Sequence, residues 1–281
     1  MKKFNFAAII LAAGKGTRMK SLTPKVLHNI GNKTMLMHNI DLCASLGIKD
    51  ITVVVGLKSK DIENEILRTN KNIRIVKQKQ QIGTADALIT TKKIYENFKG
   101  NLIVLYADVP LIKKNTLKKL MNKSKSNLSL IGFYTKKNKG YGRVVLNDNF
   151  NVKQIVEEKL ASLEQKKITL CNSGIIAGKA SLIFNLLDKT KINKKVGELL
   201  LTDIFSLNFS INNKTQVILA SDREMIGVNN RNSLALAEKY FQENKRIEMM
   251  SKGVTLIDPE TVYFSSDTLI NKDVIIEANV V

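Results

Sequence analysis

An apolar run, Phe6 to Ala12, hands over to Ala13-Gly14-Lys15-Gly16-Thr17-Arg18-Met19, and Pro24-Lys25 follows. These residue types at this spacing suit phosphate binding. Glycines let the backbone approach a ligand closely, successive N–H groups form an anion-binding concavity, and Arg18 and Lys25 supply fixed positive charge. The spacing is neither G-x-x-x-x-G-K-[ST] nor G-x-G-x-x-G. The loop therefore reads as a nucleotide site of another design, placed after the first strand of an α/β sheet.

Later segments have the composition of a ligand pocket. Gln78 to Thr84 precedes a helical pattern, so Gly83 and Thr84 lie near a helix start; amide side chains there can read a base edge, or the segment can be a plain capping loop. Asp108 ends the apolar run Leu102 to Tyr106. A carboxylate at the end of a parallel strand can hold a divalent metal that bridges phosphates, or it can cap the turn before Pro110. Gly140-Tyr141-Gly142-Arg143 carries a hairpin signal, Glu157 follows an apolar pair, and Asn172 stands at a strand start. Asn229, before the long pattern that opens at Arg231, offers a second metal-ligating carbonyl, while Asn230 suits a helix N-cap.

The elements that must position these groups alternate. Strands are expected at 6–12, 51–55, 73–76, 102–106, 128–134, 144–146 and 174–177, with helices near 35–46, 61–67, 84–94, 116–121 and 182–187. Alternation of this kind predicts a doubly wound, mostly parallel sheet, whose ligands bind beyond the strands' carboxyl ends. From Arg231 to Met250 there is no Gly or Pro, which predicts one long helix stopped by Gly253. Tyr263, Leu269, Ile275 and Val281 then recur every six residues, the period of a parallel β-helix, or a single irregular strand pair.

The 281 residues suffice for a large core, and 44% hydrophobic with 25% charged residues is ordinary for a soluble protein. The net charge of +20 comes mostly from lysines spread along the chain, without arginine-rich or aromatic-interleaved blocks, so no nucleic-acid partner is expected. Two cysteines, Cys43 and Cys171, make no disulfide framework or metal spacing and suit a cytoplasmic protein. The Met1-Lys2-Lys3 start resembles a signal peptide only superficially, and no run spans a bilayer, so no membrane partner is expected.

Taken in order, the L-A-A-G-x-G-T-R-M loop with P-K, Q-x-x-Q-x-G-T, Y-x-D-V-P-L, G-Y-G-R, V-E, N-S-G, G-E-x-x-x-T-D and G-V-N-N-R resemble one family across essentially the whole chain. That family is the N-acetylglucosamine-1-phosphate uridyltransferase half of the bacterial bifunctional enzyme that makes UDP-N-acetylglucosamine for the cell envelope. The resemblance implies a Rossmann-like nucleotidyltransferase region at 1–229, a linker helix at 230–252 and the rudiment of a left-handed β-helix at 253–281. It implies that Leu11, Ala12, Gly14, Gln78, Gly83 and Thr84 contact the uridine of UTP. Arg18 and Lys25 would neutralise phosphates as the catalytic cations. Tyr106, Gly142, Glu157 and Asn172 would hold N-acetylglucosamine 1-phosphate, and Asp108 and Asn229 would bind Mg²⁺.

Departures from the family pattern are Ala107 for a glycine, Ala85-Asp86-Ala87 for Gly-His-Ala and Leu199-Leu200 for an aromatic pair; the methyl of Ala107 and the lost aromatics bear on sugar fit. Most of the family's C-terminal β-helix is missing, and with it the acetyltransferase site and the trimer contacts. No acetyltransferase activity is expected, and a homo-oligomer or a separate β-helix chain becomes the expected protein partner. Rival readings are a pyrophosphorylase for another sugar phosphate or nucleotide, and a non-catalytic sugar-nucleotide-binding subunit.

Overall fold

The computed structural model describes residues 5–69 and 72–281; the reading of Met1-Lys2-Lys3 lies outside them. The chain opens with strand β1 (Phe6–Ala12), a small hairpin of β2 (Asn29–Ile30) and β3 (Lys33–Thr34), helix α1 (Met35–Ser45), β4 (Asp50–Val55), α2 (Lys60–Leu67) and β5 (Ile73–Lys77). It continues with α3 (Thr84–Ile89), α4 (Lys92–Tyr95), β6 (Asn101–Tyr106), α5 (Lys114–Lys123) and β7 (Leu128–Tyr134). Next come β8 (Gly142–Leu146), β9 (Val152–Val156), α6 (Leu163–Lys166), β10 (Leu170–Lys179) and α7 (Ala180–Leu187). Last are α8 (Asp203–Ser210), β11 (Thr215–Ala220), α9 (Arg231–Ser251), β12 (Thr255–Leu256) and β13 (Ile275–Ile276).

Nine strands form the main sheet, in the order β11-β7-β10-β6-β1-β4-β5, with the β8–β9 hairpin off β10. Pairings β11–β7, β6–β1, β1–β4 and β4–β5 are parallel, whereas β10 runs antiparallel to both neighbours. The fold is thus mixed α/β with a mostly parallel central sheet. Both faces are covered. Successive β1 residues alternate between two cores, Ala8 and Ile10 packing with α1, α2 and α5, and Ala7, Ile9 and Leu11 packing with α3, α7 and α8. Burial on both faces is why this strand reads as an unbroken apolar run.

Several expectations need revision. The single helix expected over 84–94 is broken into α3 and α4 at Thr90-Thr91. Both threonine hydroxyls bond back to carbonyls in the preceding turn, Thr90 Oγ1 to Ala87 (2.6 Å) and Thr91 Oγ1 to Leu88 (2.7 Å), a habit that bends helices. The short strand expected at 174–177 is a ten-residue strand with a bulge between Asn172 and Ile176. Gly140–Arg143 enters β8 rather than turning a hairpin; the hairpin's turn is made by Asn147, whose Oδ1 accepts from the amides of Asn149 and Asn151. Strands β9 and β11 and helix α8 were not anticipated.

Helix α9 is capped as its sequence implies: Asn230 accepts from Ser233 N, and Ser233 Oγ accepts from Asn230 N. Beyond it, β12 and β13 pair in parallel, and Tyr263 N donates to Val280 O (2.9 Å). The six-residue row is offset from the expected one. Tyr263, Leu269, Ile275 and Val281 are exposed, whereas Phe264, Ile270 and Ile276, one position on, pack against Val254, Leu256 and Met249. Among the described residues, no helix is long and apolar enough to cross a membrane.

Candidate active site: two clefts meeting at an ion knot

Two adjoining clefts open at the carboxyl ends of β1 and β6. The first is lined by Leu11, Ala12, Gly14, Lys25, Gln78, Gly83, Thr84, Tyr106 and Asp108. The second is lined by Arg18, Thr84, Tyr106, Asp108, Gly142, Glu157, Asn172 and Asn229. Every site residue singled out from the sequence therefore lines one cleft or the other, and Thr84, Tyr106 and Asp108 belong to both walls.

The loop after β1 is shaped for close approach. Gly16 has φ +63°, and a Cβ there would come within 2.8 Å of the Lys25 Cβ, so the glycine lets Lys25 fold back over the loop. Arg18 and Lys25 each sit on a short 3₁₀ turn anchored by a buried neighbour, Met19 and Val26 respectively. Their cationic ends converge on one place. Lys25 Nζ donates to Asp108 Oδ2 and to Asn229 Oδ1 (3.1 Å), and Arg18 donates to the same Asn229 oxygen (3.0 Å). Asp108 is positioned by backbone: its carbonyl accepts from Val228 N (2.8 Å), which ties the end of β6 to the segment that carries Asn229.

The first cleft ends in polar groups held by α3 and the strand before it. Gly83 has φ +131°, and a Cβ there would lie 2.3 Å from the Leu199 carbonyl, so only glycine fits between α3 and the 197–201 segment. Gln78 is buried, its backbone N–H bonded to Val55 O and its Nε2 to Gly83 O (3.0 Å) and Asp86 Oδ2 (2.6 Å). The hydroxyl of Thr84 accepts from Leu201 N (3.1 Å), and burial suppresses ionisation of the nearby Tyr106 hydroxyl. In the second cleft, Gly174 at φ +85° leaves room for the Tyr106 ring, which a Cβ would meet at 2.6 Å. Asn172 Oδ1 accepts from Gly174 N, leaving its Nδ2 without a partner among the described residues.

One expectation about sugar fit does not hold. Ala107 is fully buried in the core against the α1 face, because Tyr106 and Asp108 on either side of it face the clefts. Its methyl is absent from the cleft wall. Leu200 does line the second cleft, and Leu199 contributes backbone against Gly83.

A nucleotidyl transferase family profile matches residues 7–205. The chain belongs to that family. It is 39% identical over 279 residues to the bifunctional protein GlmU of Zymomonas mobilis, covering 98% of this chain and 62% of that protein. The bifunctional protein GlmU of Brucella anthropi is 38% identical over 275 residues, covering 97% of this chain and 60% of that protein. The chain thus spans about three fifths of the length of these curated relatives. A crystal structure from Bacillus anthracis, assigned as a glucose-1-phosphate thymidylyltransferase and complexed with sucrose, superposes with a TM-score of 0.68 at 18% identity. That superposition covers 83% of this chain and 94% of the other, and it bears on the fold.

Within this nucleotidyl transferase some cleft residues were not singled out from the sequence. Glu198 borders both clefts, Gln81 donates from Nε2 to Ala13 O (2.8 Å), and Thr202 Oγ1 donates to Glu157 Oε1 (3.0 Å). Their signal lay inside motifs already noted: Gln81 in Q-x-x-Q-x-G-T, and Glu198 and Thr202 in G-E-x-x-x-T-D.

Burial holds the Glu157 carboxyl above the ordinary carboxylate range, against the lowering effect of the Thr202 hydroxyl. The folded protein therefore binds this proton more tightly than the unfolded chain. The resulting preference for the fold is complete at low pH and is lost as pH rises through the folded value. Glu157→Gln, which removes the charge and keeps the shape, is expected to raise the melting temperature at pH 8 by roughly 2–4 °C. It is expected to change nothing below about pH 3, where Glu157 is protonated in both the folded and the unfolded chain. Thermal melts of the two proteins across this range check the sign; a variant less stable at pH 8 would contradict it.

Proposed function

We propose that this nucleotidyl transferase joins UTP to N-acetylglucosamine 1-phosphate, forming UDP-N-acetylglucosamine and pyrophosphate in the cytoplasm. The observation that carries the reading is the convergence of Lys25, Arg18, Asp108 and Asn229 where the two clefts meet. In this reading the nucleotide lies along the first cleft and the sugar phosphate in the second. A phosphate oxygen of the sugar phosphate attacks the α-phosphorus of UTP in line, and pyrophosphate leaves. No protein nucleophile is required: both cysteines are buried, and His28 and His38 lie outside both cleft walls. The chain's contribution is positioning and charge. Arg18 and Lys25 offset the negative charge of phosphates brought within reach of one another, Tyr106 and Thr84 form the wall shared by both substrates, and Glu157 and Asn172 present polar groups to sugar hydroxyls and amide.

The residues present fit Mg²⁺. Two side-chain oxygens, Asp108 Oδ2 and Asn229 Oδ1, already converge on one cation, the ammonium of Lys25. Oxygen donors suit this hard ion, and no group of three or more His, Cys, Asp or Glu suited to a metal occurs among the described residues. Asp108 and Asn229 would thus hold Mg²⁺ together with substrate phosphates and water. Bound there, it would supply charge neutralisation across the transferring phosphates.

The test is pyrophosphate release from UTP, dTTP, CTP and GTP, each paired with N-acetylglucosamine, glucose and glucosamine 1-phosphates. UTP with N-acetylglucosamine 1-phosphate is expected to be turned over fastest. A different preferred pair would replace this reading, and binding without turnover of any pair would favour a non-catalytic subunit.

A further inference from the structure

We propose that Asp86 is a specificity-determining positioning residue: it locks the Gln78 amide so that the carbonyl oxygen, and not the NH₂, is offered to the nucleotide base. The proposal rests on the nucleotidyl-transfer reading above and adds the rule by which a base is accepted.

A free glutamine amide can present either end to a ligand, since rotation by 180° exchanges oxygen and nitrogen at nearly the same positions. Gln78 lacks that freedom. Its Nε2 faces two acceptors at once, the Gly83 carbonyl at 3.0 Å and the Asp86 carboxylate at 2.6 Å. An NH₂ has two hydrogens, and both are committed. The flipped amide would set Oε1 against a carbonyl and a carboxylate, three acceptors with no proton among them. The buried position of Gln78 makes that arrangement costly. Oε1 has no partner among the described residues, yet it is not among the side-chain atoms buried without one. It is therefore the atom left to the cleft, beside Leu11, Gly14 and Gly83.

Of the two acceptors, Asp86 makes the lock firm. Both groups accept only, but the Gly83 carbonyl is neutral whereas the Asp86 carboxylate makes a shorter, charge-assisted and stronger bond, so it contributes most of the cost of a flip. A lone acceptor at this place selects bases by the hydrogen on their pairing edge. Uracil, thymine and guanine carry a ring N–H there, and uracil and thymine flank it with carbonyls. Cytosine and adenine carry a bare ring nitrogen, which in the same pose would meet Oε1 acceptor to acceptor; their exocyclic NH₂ reaches it only from a shifted pose. In that pose with the ring edge facing Oε1, the lock favours N–H bases over cytosine and adenine. Rejection of guanine falls to cleft size.

The experiment compares kcat/KM for UTP and CTP in the wild type, Asp86→Ala, Asp86→Leu, Asp86→Asn, Gln78→Ala and the Gln78→Ala/Asp86→Ala double variant, with calorimetric affinities for the same nucleotides without sugar phosphate. Far-UV circular dichroism checks folding, and Asp86→Leu, close to aspartate in shape, serves if the alanine variant folds poorly. Asp86→Ala and Asp86→Leu are expected to shrink the UTP:CTP ratio by about tenfold or more, mainly through KM for UTP. Asp86→Asn should keep most of the preference, because its carbonyl still accepts from Gln78. In the Gln78→Ala background Asp86→Ala should add nothing. An unchanged ratio in Asp86→Ala, or an equal fall without Gln78, overturns the proposal, as does a wild type that prefers CTP. A wild type that prefers dTTP or GTP overturns the assignment of UTP instead, and the fall of its N–H-base preference over CTP in Asp86→Ala then supports the lock. If no pair is turned over, the calorimetric UTP:CTP ratios decide in the same way.

Discussion

Asp108→Ala is expected to lower pyrophosphate release by about 10³-fold while leaving the fold intact. The fold survives because the backbone, not the side chain, secures this turn. Ala107 N donates to Leu11 O, Val109 N to Tyr106 O and Val228 N to Asp108 O, and alanine keeps all three. What disappears is the only carboxylate in the knot of Arg18, Lys25 and Asn229. Without it, two cations face one amide oxygen, and the oxygen pair suited to a divalent cation is reduced to a single donor. Asp108→Asn keeps an oxygen but not the charge, and its rate should fall between the two. Titrating Mg²⁺ in the pyrophosphate assay distinguishes the steps: the asparagine variant regains part of its rate at high Mg²⁺, the alanine variant does not. An alanine variant with full turnover would remove Asp108 from the chemistry.

Lys25→Met is expected to act in two opposite directions. Pyrophosphate release should fall by about 10²–10³-fold, since the ammonium that offsets phosphate charge is gone while the apolar stem, and so the packing, is largely kept. Divalent-metal affinity of the protein without nucleotide should rise instead. In the native chain Lys25 bonds both Asp108 and Asn229, so any other cation must first displace it. Removing a unit charge at this range is expected to tighten Mn²⁺ or Mg²⁺ binding on the order of tenfold or more. Isothermal calorimetry of the wild type and variant checks this, with activity measured in parallel. Loss of activity with unchanged or weaker metal binding would mean that the ammonium does not compete for these oxygens.

The parts of the fold legible in the sequence are those whose local signal agrees with their environment. Strand β1 falls where its apolar run begins and ends, because burial on both faces leaves no polar residue to blur its limits, and β7 keeps its expected bounds with Ser129 as its one polar residue before Tyr134. Helix α9 ends within a residue of its reading, bounded by the Asn230 cap and by Gly253 at φ +91°. Strand β9 is not legible because Lys153 and Gln154 break its apolar run, and β11 carries only a short apolar run, Val217 to Ala220, with Leu219 exposed. The antiparallel course of β10 between β6 and β7 is a matter of long-range pairing that no window of sequence encodes.

The site divides in the same way. Which residues line the clefts was readable from their motifs, whereas who touches whom was not. Lys25 and Asp108 are separated by 83 positions, and Lys25 and Asn229 by 204. Asp86 stood out from the sequence as a departure from the family pattern, but its bond to Gln78 exists only because α3 turns back beside the end of β5. Ala107 shows the converse, a departure in the middle of the motif that faces away from the ligand.

The hairpin of β2 and β3, helix α9 and the C-terminal coil meet at one junction. Gly31 N donates to Glu238 (2.8 Å), Ser266 N to Gly31 O (2.7 Å), and Gln242 exchanges two bonds with the Phe264 backbone (both 2.8 Å). Lys25 lies just upstream of the hairpin and Asn229 just upstream of the helix, so both ends of the ion knot are rooted in that junction. The same knot is also tied to the end of β6, through the Val228–Asp108 backbone bond and the Lys25–Asp108 pair. The charged end of the clefts is thus cross-braced, hung from the C-terminal junction on one side and from the central sheet on the other.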